Sequence, residues 1–408
     1  ENLDVRLNRL AKKAEAEFSL RKMCETQLTI YDTILKTESK NRKDNKKYDV
    51  AILGYYGYKN SGDEAILRSI IDSLRSLDSE LSFIIFSRKP RETKKLYLVD
   101  SVNRFNLIKV FRKLKVSRLF LAGGGSLIQD NTSTRSIWYY LTVLRMAKKL
   151  GTKTMLFANG IGPIKRKFNR HFAGKILNSL HAISLRDSES FKEIKAMGIT
   201  NPNIYVTSDP AILLEPACSD NVDKLMKSEG IPSDKPLIGF SIRKWANSGY
   251  MDQIAKIADY CVENFDAHPV FVPMQYPGDY EISQAIRSRM EHPSSIISRI
   301  YASELLLGLT SRFELMVGMR LHSVIYAASQ CVPLLGLVYE PKVGAFLKDI
   351  GQPSAGTIDN LDENSICRQL DSIWRNREKI KEELSQSKKR LRIMAHANVE
   401  TAYRLLKE

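Results

Sequence analysis

The stretch Phe313-Glu314-Leu315-Met316-Val317-Gly318-Met319-Arg320-Leu321-His322 decides the fold, because it joins a short apolar run to a polar turn. Residues 313–317 predict a buried strand, and residues 323–329 predict the helix that follows it. Such strand-to-helix turns are where open parallel sheets bind ligands. Arg320, a fixed cation, and His322, a titratable imidazole, suit an acidic substrate that must exchange a proton. For an isolated Arg-x-His, the alternative is a structural arginine and a buried histidine.

The same alternation of strand and helix extends along the chain on both sides of this stretch. Further apolar runs occur at residues 48–53, 81–86, 118–122, 154–158, 182–185, 204–206, 237–242, 269–272 and 333–337. Strands that alternate with amphipathic helices indicate parallel sheets covered on both faces. We therefore predict an α/β fold with two doubly wound, Rossmann-like domains facing a cleft.

A segment rich in Pro, Ser and Asp, residues 215–236, predicts the boundary between the two domains. The expected units are an N-terminal Rossmann-like domain at 48–218 and a C-terminal one at 219–360. The charged residues 361–408 predict helices that pack back across both domains. Residues 1–47 predict a helical arm that ends in a basic linker.

Composition narrows the class of protein. The 408 residues are 43% hydrophobic, enough for two cores, and 63 Lys and Arg against 46 Asp and Glu give a formal charge of +17. This charge favours anionic partners, but we find no zinc-knuckle, RNP-like or basic heptad motif and expect no nucleic acid.

Five scattered cysteines without a C-x-x-C pair predict reduced thiols and a cytoplasmic location. No signal peptide and no apolar run near roughly 20 residues is present, so any membrane contact should be peripheral. The dispersed histidines predict no bound metal.

The turn after the first predicted strand carries Gly54-x-x-Gly57 and Asn60-x-Gly62-Asp63, and a helix is predicted to open at Glu64. Exposed N–H groups at such a turn favour anions or sugar hydroxyls. The spacing is not a nucleotide-binding fingerprint, and two carboxylates would repel phosphate. We predict an acceptor-sugar site here, with Asn60 and Glu64 as contacts and Asp63 orienting or deprotonating a hydroxyl. The alternative is a helix-capping Asp in a tight turn.

A second loop, Gly123-Gly124-Gly125, follows the predicted strand at 118–122. Glycine lets the backbone approach a ligand closely, because it has no Cβ. A packed turn without a ligand is the alternative, although residues 159–163 form a third loop of the same kind. The substrate contacts predicted from this loop are Gly124, Gly125, Gln129 and Asp130.

The loops at 54–67 and 122–130, together with the stretch 318–322, resemble the bacterial polysaccharide pyruvyl transferases, and especially their cell-wall members. The resemblance extends from about residue 48 to about residue 353. It implies a GT-B-type protein that moves the enolpyruvyl group of phosphoenolpyruvate onto a sugar, closes a cyclic ketal and releases phosphate. It also implies that Arg243, Arg320 and His322 hold the donor and assist its chemistry. The implied acceptor is an N-acetylmannosamine-bearing, lipid-linked wall intermediate at the inner face of the plasma membrane.

Phosphoenolpyruvate carries a phosphate and a carboxylate, so its site needs fixed cations, preferably guanidinium forks. Arg243 and Arg320 are the main candidates. Arg186 is another, although Asp187 beside it offers a structural ion pair. Lys342 is a further anion contact, unless it faces solvent. His322 is the predicted acid catalyst, and no cofactor or metal is expected, because arginine can stabilise the departing phosphate.

Two other functions fit the same patterns. A GT-B glycosyltransferase with a nucleotide-sugar donor has the same outline, since fold does not settle function. Such a donor usually needs an acidic residue for its ribose, whereas the loops of the second domain offer Arg243, Lys244, Arg320 and His322. A non-catalytic glycolipid-binding protein would use the helical arm and the basic surface as its interface.

Overall fold

The computed structural model describes residues 47–131, 134–245 and 249–408, and these form one compact unit. The predicted arm, and all but the last residue of the predicted linker, lie outside the described residues. The four described cysteines, Cys218, Cys261, Cys331 and Cys367, are free thiols. No helix in this part of the chain is both long and apolar enough to cross a membrane.

The described residues contain two parallel sheets. The strands are β1 Tyr48–Leu53, β2 Phe83–Ser87, β3 Asp100–Asn103, β4 Ser117–Gly123, β5 Lys153–Asn159, β6 Ala182–Leu185, β7 Ile204–Val206, β8 Leu237–Ser241, β9 His268–Phe271, β10 Ser295–Ile296, β11 Phe313–Gly318, β12 Leu334–Val338 and β13 Ser354–Thr357. The first sheet has the order β3-β2-β1-β4-β5-β6-β7, and the second has the order β10-β9-β8-β11-β12-β13. This confirms the predicted fold class of two Rossmann-like sheets.

Helices cover both sheets and connect their strands. They are α1 Ser61–Leu77, α2 Pro90–Tyr97, α3 Leu107–Lys115, α4 Thr134–Lys149, α5 Lys167–Leu177, α6 Ser188–Ala196, α7 Ser219–Ser228, α8 Tyr250–Phe265, α9 Gly278–Arg287, α10 Ser303–Thr310, α11 Leu321–Ser329, α12 Pro341–Asp349, α13 Glu363–Arg375 and α14 Arg377–Lys407. Short 3-10 turns lie at Pro210–Leu213 and Ile358–Asn360.

The central strands are apolar along their whole length because helices cover them on both sides. All five residues of β2 and β8 are buried. Helix α1 buries Ile66, Ile70 and Leu74, which are spaced four residues apart and therefore lie on one helix face. The sequence patterns did not predict β3, β10 and β13, which are short strands of two to four residues, mostly with small or polar side chains.

The long final helix, α14, returns to the first sheet. Asn398 is fully buried, accepts a hydrogen bond from Thr207 Oγ1 at 2.7 Å and donates to the carbonyl of Ser208 at 3.1 Å. Near the end of α14, the Leu406 carbonyl accepts a hydrogen bond from Arg118 of β4 at 2.9 Å. The C-terminal segment therefore contacts the first sheet at the carboxyl end of β7, where the site lies, and at the amino end of β4.

The two sheets meet at the start of α1. The Ser61 N–H donates to the Met274 carbonyl at 2.8 Å, and Ser303 Oγ donates to the Ser61 carbonyl at 2.8 Å. The Tyr326 hydroxyl lies 2.9 Å from Ser61 Oγ. These contacts hold the carboxyl end of β1 against the elements that surround β11.

Candidate functional site

The centre of the candidate site is a buried group of three ionisable side chains contributed by both sheets. Arg186 follows β6, and its Nη1 donates to Asp209 Oδ2 at 2.7 Å. Asp209 follows β7, and its Oδ2 also lies 3.7 Å from His322 Nε2. Arg186 and Asp209 have side chains that are only 4% exposed. Such a pair retains its charge in the interior because each partner compensates the other.

His322 enters this group from the second residue of α11. Its ring lies directly against the backbone of Gly62 in α1, since a Cβ built on Gly62 would lie 2.0 Å from His322 Nδ1 and 2.2 Å from Cγ. No real Cβ can occupy that space, so only glycine permits this ring position. Gly62 therefore serves the site by allowing an imidazole from one sheet to contact a helix from the other.

Burial lowers the pKa of His322 to about 4, and the nearby cations Arg186, Lys342 and Arg320 lower it further against the opposing effect of Asp209. In the part of the chain that the structure describes, the buried Nε2 atom has no hydrogen-bond partner. The imidazole is therefore neutral at pH 7 without a ligand. An anion bound beside it would favour the protonated form.

Asp63 shows the opposite shift. Burial raises the pKa of its carboxyl to about 7, and Glu64 and Asp209 raise it further, whereas Arg186 and Lys342 lower it. Near neutral pH this carboxyl is half protonated, so it can either accept or donate a proton. Paired titratable groups with pKa values moved apart are typical of sites that transfer protons.

The glycine loop after β4 lies close to this carboxyl. Gly124 and Gly125 have φ angles of +73° and +68°, and a Cβ on Gly125 would lie 2.9 Å from Asp63 Oδ1. The next residue, Ser126, accepts a hydrogen bond from Arg186 Nη2 at 3.1 Å. The loops after β1, β4 and β6 therefore converge at one edge of the first sheet, the edge at which open parallel sheets bind ligands.

Arg320 is held by a buried partner. Its Nε donates to Asp279 Oδ2 at 2.9 Å, and its Nη2 bonds to Asp279 Oδ1 and, at 3.2 Å, to Gln275 Oε1. Asp279 is 1% exposed, so the fork-shaped contact fixes the guanidinium firmly. Within the described residues, the hydrogen bonds of Arg320 use Nε and Nη2 and not Nη1.

Arg243 and Lys342 both lie close to the carboxylate of Glu340. Arg243 Nη1 lies 3.6 Å from Glu340 Oε1, and its guanidinium lies 4.5 Å from the centre of the Tyr339 ring. Lys342 pairs with Glu340 Oε2 and is 31% exposed, so it is only partly solvent-facing. Lys342 belongs electrostatically to the site because it acts on both His322 and Asp63.

Several predicted contacts are engaged within the protein itself. Asn60 is the cap of α1 and accepts from the N–H groups of Gly62 and Asp63, so the helix starts at Ser61 and not at Glu64 as predicted. Glu64 accepts from Gly57 N–H at 2.7 Å and from the Tyr97 hydroxyl. Asp130 accepts from the N–H groups of residues 165 and 166 and from the Asn169 side chain. Gln129 is half-buried in the same loop.

Of two cavities near the start of α1 and the strand ends, one is lined by members of the central group. One has a volume of about 130 Å³ and is lined by Arg186, Asp209, Leu321 and Lys342. The other has a volume of about 210 Å³ and lies between α1, α2 and the loops after β9 and β10. Among the described residues, no three His, Cys, Asp or Glu side chains are grouped as metal ligands.

The sequence analysis missed two carboxylates. Asp209 is the stronger partner of Arg186, since Asp187 Oδ2 lies 3.8 Å from Nε and the Asp187 side chain instead caps α6. The sequence could have indicated Asp209 as a site residue, because it follows a predicted strand just as Arg320 does. Asp279 gave no signal, since acidic residues are common in the first turn of a helix.

Comparison with known proteins identifies the family to which this arrangement belongs. The family model "Polysaccharide pyruvyl transferase" matches residues 60–341, a range that includes Asp63, Arg186, Asp209 and His322. The chain belongs to the polysaccharide pyruvyl transferase family. The "Amylovoran biosynthesis protein AmsJ" of Erwinia amylovora is 23% identical to this family member, over 85% of this chain and 97% of AmsJ.

Solved structures show that this family member has a GT-B-like fold. HepE from Anabaena, crystallised with UDP-glucose, aligns with a TM-score of 0.60 at 11% identity, over 88% of this chain and 99% of its own. The UDP-GlcNAc 2-epimerase of Neisseria meningitidis, bound to UDP-GlcNAc, gives 0.60 at 11% identity, over 88% and 100%. At this identity the likeness concerns the fold alone.

Proposed function

We propose that this protein transfers the enolpyruvyl group of phosphoenolpyruvate to a sugar, forming a cyclic pyruvate ketal and releasing phosphate. The observation that carries the proposal is the buried imidazole of His322. Its Nε2 atom forms no hydrogen bond within the described residues, and the cations Arg186, Lys342 and Arg320, contributed by both sheets, lower its pKa. A small, highly charged anion is the ligand that such an environment favours.

Donor binding would change the protonation of the site. Burial lowers the His322 pKa and nearby cations add to this effect. The phosphate and carboxylate of the donor would offset those cations, so the imidazole would take up a proton as the donor binds. Arg320, fixed by Asp279, would direct its Nη1 hydrogens to the donor. Protonated His322 is then the acid that the first chemical step requires.

In the first step, a sugar hydroxyl oxygen bonds to C2 of the donor while the C2=C3 electron pair takes a proton from His322 and forms a methyl group. Asp63 accepts the hydroxyl proton. In the second step, a neighbouring hydroxyl bonds to C2, and phosphate leaves with the electrons of its C–O bond. The proton of this second hydroxyl passes to the departing phosphate, and the Asp63 proton returns to His322. Arg186 and Arg320 stabilise the charge on the leaving group.

An aromatic surface lies beside Asp63 and supports sugar binding. Tyr55 and Tyr58 stack with ring centres 4.0 Å apart, and both are partly exposed. Burial raises the pKa of Tyr55, as do Tyr58 and Asp63, while Arg104 and Arg320 lower it. Tyr55 therefore lies within electrostatic reach of Asp63 and Arg320. Sugar rings bind to such aromatic faces through their apolar C–H surfaces.

We further propose that the acceptor is a lipid-linked amino sugar, with N-acetylmannosamine of a cell-wall precursor as the first candidate, at the cytoplasmic face of the plasma membrane. The motifs that resemble cell-wall members support this choice, and the similarity to AmsJ, a protein named for amylovoran biosynthesis, supports a biosynthetic role.

Phosphate release and product mass test the proposal together. The protein is incubated with phosphoenolpyruvate and a panel of glycolipids, and phosphate is measured alongside product mass. We expect one phosphate for each acceptor that gains the mass of pyruvate less one water. Transfer of a hexose from a UDP-sugar, with no product from phosphoenolpyruvate, would overturn the proposal.

A further inference from the structure

The positive charge of this protein is concentrated in one segment. Residues 101–186 contain seventeen Lys and Arg but a single acidic residue, Asp130. The remaining residues contain 46 bases and 45 acids, so this segment carries almost the entire net charge of +17. Asp130 accepts hydrogen bonds from the backbone N–H groups of residues 165 and 166 at the start of α5. The segment therefore presents a one-sided field that attracts anions.

The same segment exposes large apolar side chains. On α3, Leu107, Ile108 and Phe111 are 44%, 68% and 42% exposed. Phe168 at the start of α5 is 62% exposed and stacks on Trp138 of α4 with ring centres 5.4 Å apart. Leu107 and Trp138 line one open groove, which joins the two groups. We call these five residues the apolar patch.

Basic side chains surround the apolar patch. Lys109 and Arg112 lie on α3 beside Ile108 and Phe111, and Arg135 lies at the start of α4 and lines the groove. The exposed residues Lys165, Arg166 and Lys167 directly precede Phe168. Exposed aliphatic and aromatic side chains among bases are typical of surfaces that insert into the interface of an anionic bilayer.

We propose that the apolar patch and its basic surround form a membrane-binding surface for anionic lipids. Contiguous exposed apolar groups are costly in water and indicate a partner. A bilayer offers both required environments, since its headgroups bind the bases and its acyl boundary accepts the apolar side chains. A nucleic acid would supply phosphates but no apolar layer for Leu107 and Ile108.

The position of this surface links it to the candidate site. Phe168 follows β5, Trp138 follows β4, and Leu107 follows β3, so all three lie after the carboxyl ends of strands in the first sheet. Asp63 and Arg186 follow strands of the same sheet at the same edge. A protein docked through this surface would hold that edge towards the bilayer. If the proposed function holds, a membrane-anchored acceptor would then reach Asp63.

Vesicle co-sedimentation of the full chain tests the proposal. We expect binding to vesicles of phosphatidylcholine and phosphatidylglycerol in about 0.1 M salt, with weaker binding as salt rises. Pure phosphatidylcholine vesicles should bind much less. The double variant Ile108→Asp, Phe168→Asp should lower the affinity roughly tenfold or more, because two inserted side chains are lost. Ile393→Asp on α14, at a position that is 73% exposed, is the matched control and should bind like the unmodified protein.

Charge reversal provides a second test on the same vesicles. Arg112→Glu should weaken binding at least about fivefold, since each base near an anionic surface contributes about that factor. Lys379→Glu, whose side chain is 76% exposed on α14, should have little effect. Failure to bind anionic vesicles, equal loss in patch and control variants, or binding to polyuridylate with no binding to vesicles would each overturn the proposal. The assay needs no turnover, so its outcome is independent of whether pyruvyl transfer occurs.

Discussion

The contact between Gly62 and His322 gives the sharpest prediction from the geometry. Substituting Ala for Gly62 adds a methyl group 2.0 Å from His322 Nδ1, about 1.5 Å closer than ordinary van der Waals contact. The His322 ring must move from its position beside Asp209 by a comparable distance. A displacement of about 1 Å at a reacting group lowers turnover by about 100-fold. We therefore expect Gly62→Ala to be nearly inactive.

The same substitution should also lower the free energy of unfolding, because two opposing effects do not cancel. Gly to Ala inside a helix normally raises the free energy of unfolding by about 0.5–1 kcal/mol. Here, overpacking should lower it by about 1–3 kcal/mol, so the net change is a loss of about 1 kcal/mol. Gly174→Ala in α5 is the matched control, because its Cβ would make ordinary contacts with the Met197 carbonyl at 3.9 Å and Ile199 Cγ1 at 4.0 Å. The control should gain stability and keep full turnover.

Chemical denaturation and phosphate release are the two measurements, made with the acceptor that gives the highest turnover. Phosphoenolpyruvate affinity, measured by calorimetry, shows whether the donor site is retained. The reasoning would be refuted if Gly62→Ala became more stable, like Gly174→Ala, and kept turnover within a few fold. That result would mean that the ring does not lie over Gly62 in the working protein.

Asp63→Asn should raise the free energy of unfolding at pH 8 by up to about 4 kcal/mol and have little effect at pH 4. The reason is that a carboxyl with a pKa raised to about 7 stabilises the folded protein when protonated, and this stabilisation is lost as pH rises through 7. Chemical denaturation at both pH values checks this. His322→Ala should abolish turnover but leave donor affinity within a few fold, as phosphate release and calorimetry would show. At pH 6 the unmodified protein should take up a proton on donor binding and His322→Ala should not, which calorimetry in buffers of different ionisation heat can detect. Arg320→Ala should lower the free energy of unfolding by about 3 kcal/mol, because Asp279 would be left buried without its cation. The same substitution should weaken donor binding. Arg118→Ala, which removes the more exposed ion pair with Asp49, is the control for denaturation.

The order of strands and helices could be predicted because apolar runs and amphipathic stretches leave a local periodic signal. The turn carrying Arg320 and His322 was found in this way, since side chains after a buried strand lie at a fixed edge of the sheet. The strand β3 was missed because Asp100 and Asn103 are polar, as edge strands can be.

Pairing between distant side chains could not be predicted in the same way. Asp279 meets Arg320 across 41 residues, and Gly62 meets His322 across two different sheets. Neither contact produces a recognisable pattern in the sequence next to the residues that form it. The direction of the His322 pKa shift depends first on burial and then on three cations, and only the folded protein brings these together.

Isothermal titration of the full chain with phosphoenolpyruvate and, separately, with UDP tests the central claim most directly. We predict that phosphoenolpyruvate binds with proton uptake at pH 6 and that UDP does not bind. Binding of UDP with no heat from phosphoenolpyruvate would show that the cations around His322 serve a nucleotide donor, and would contradict the account.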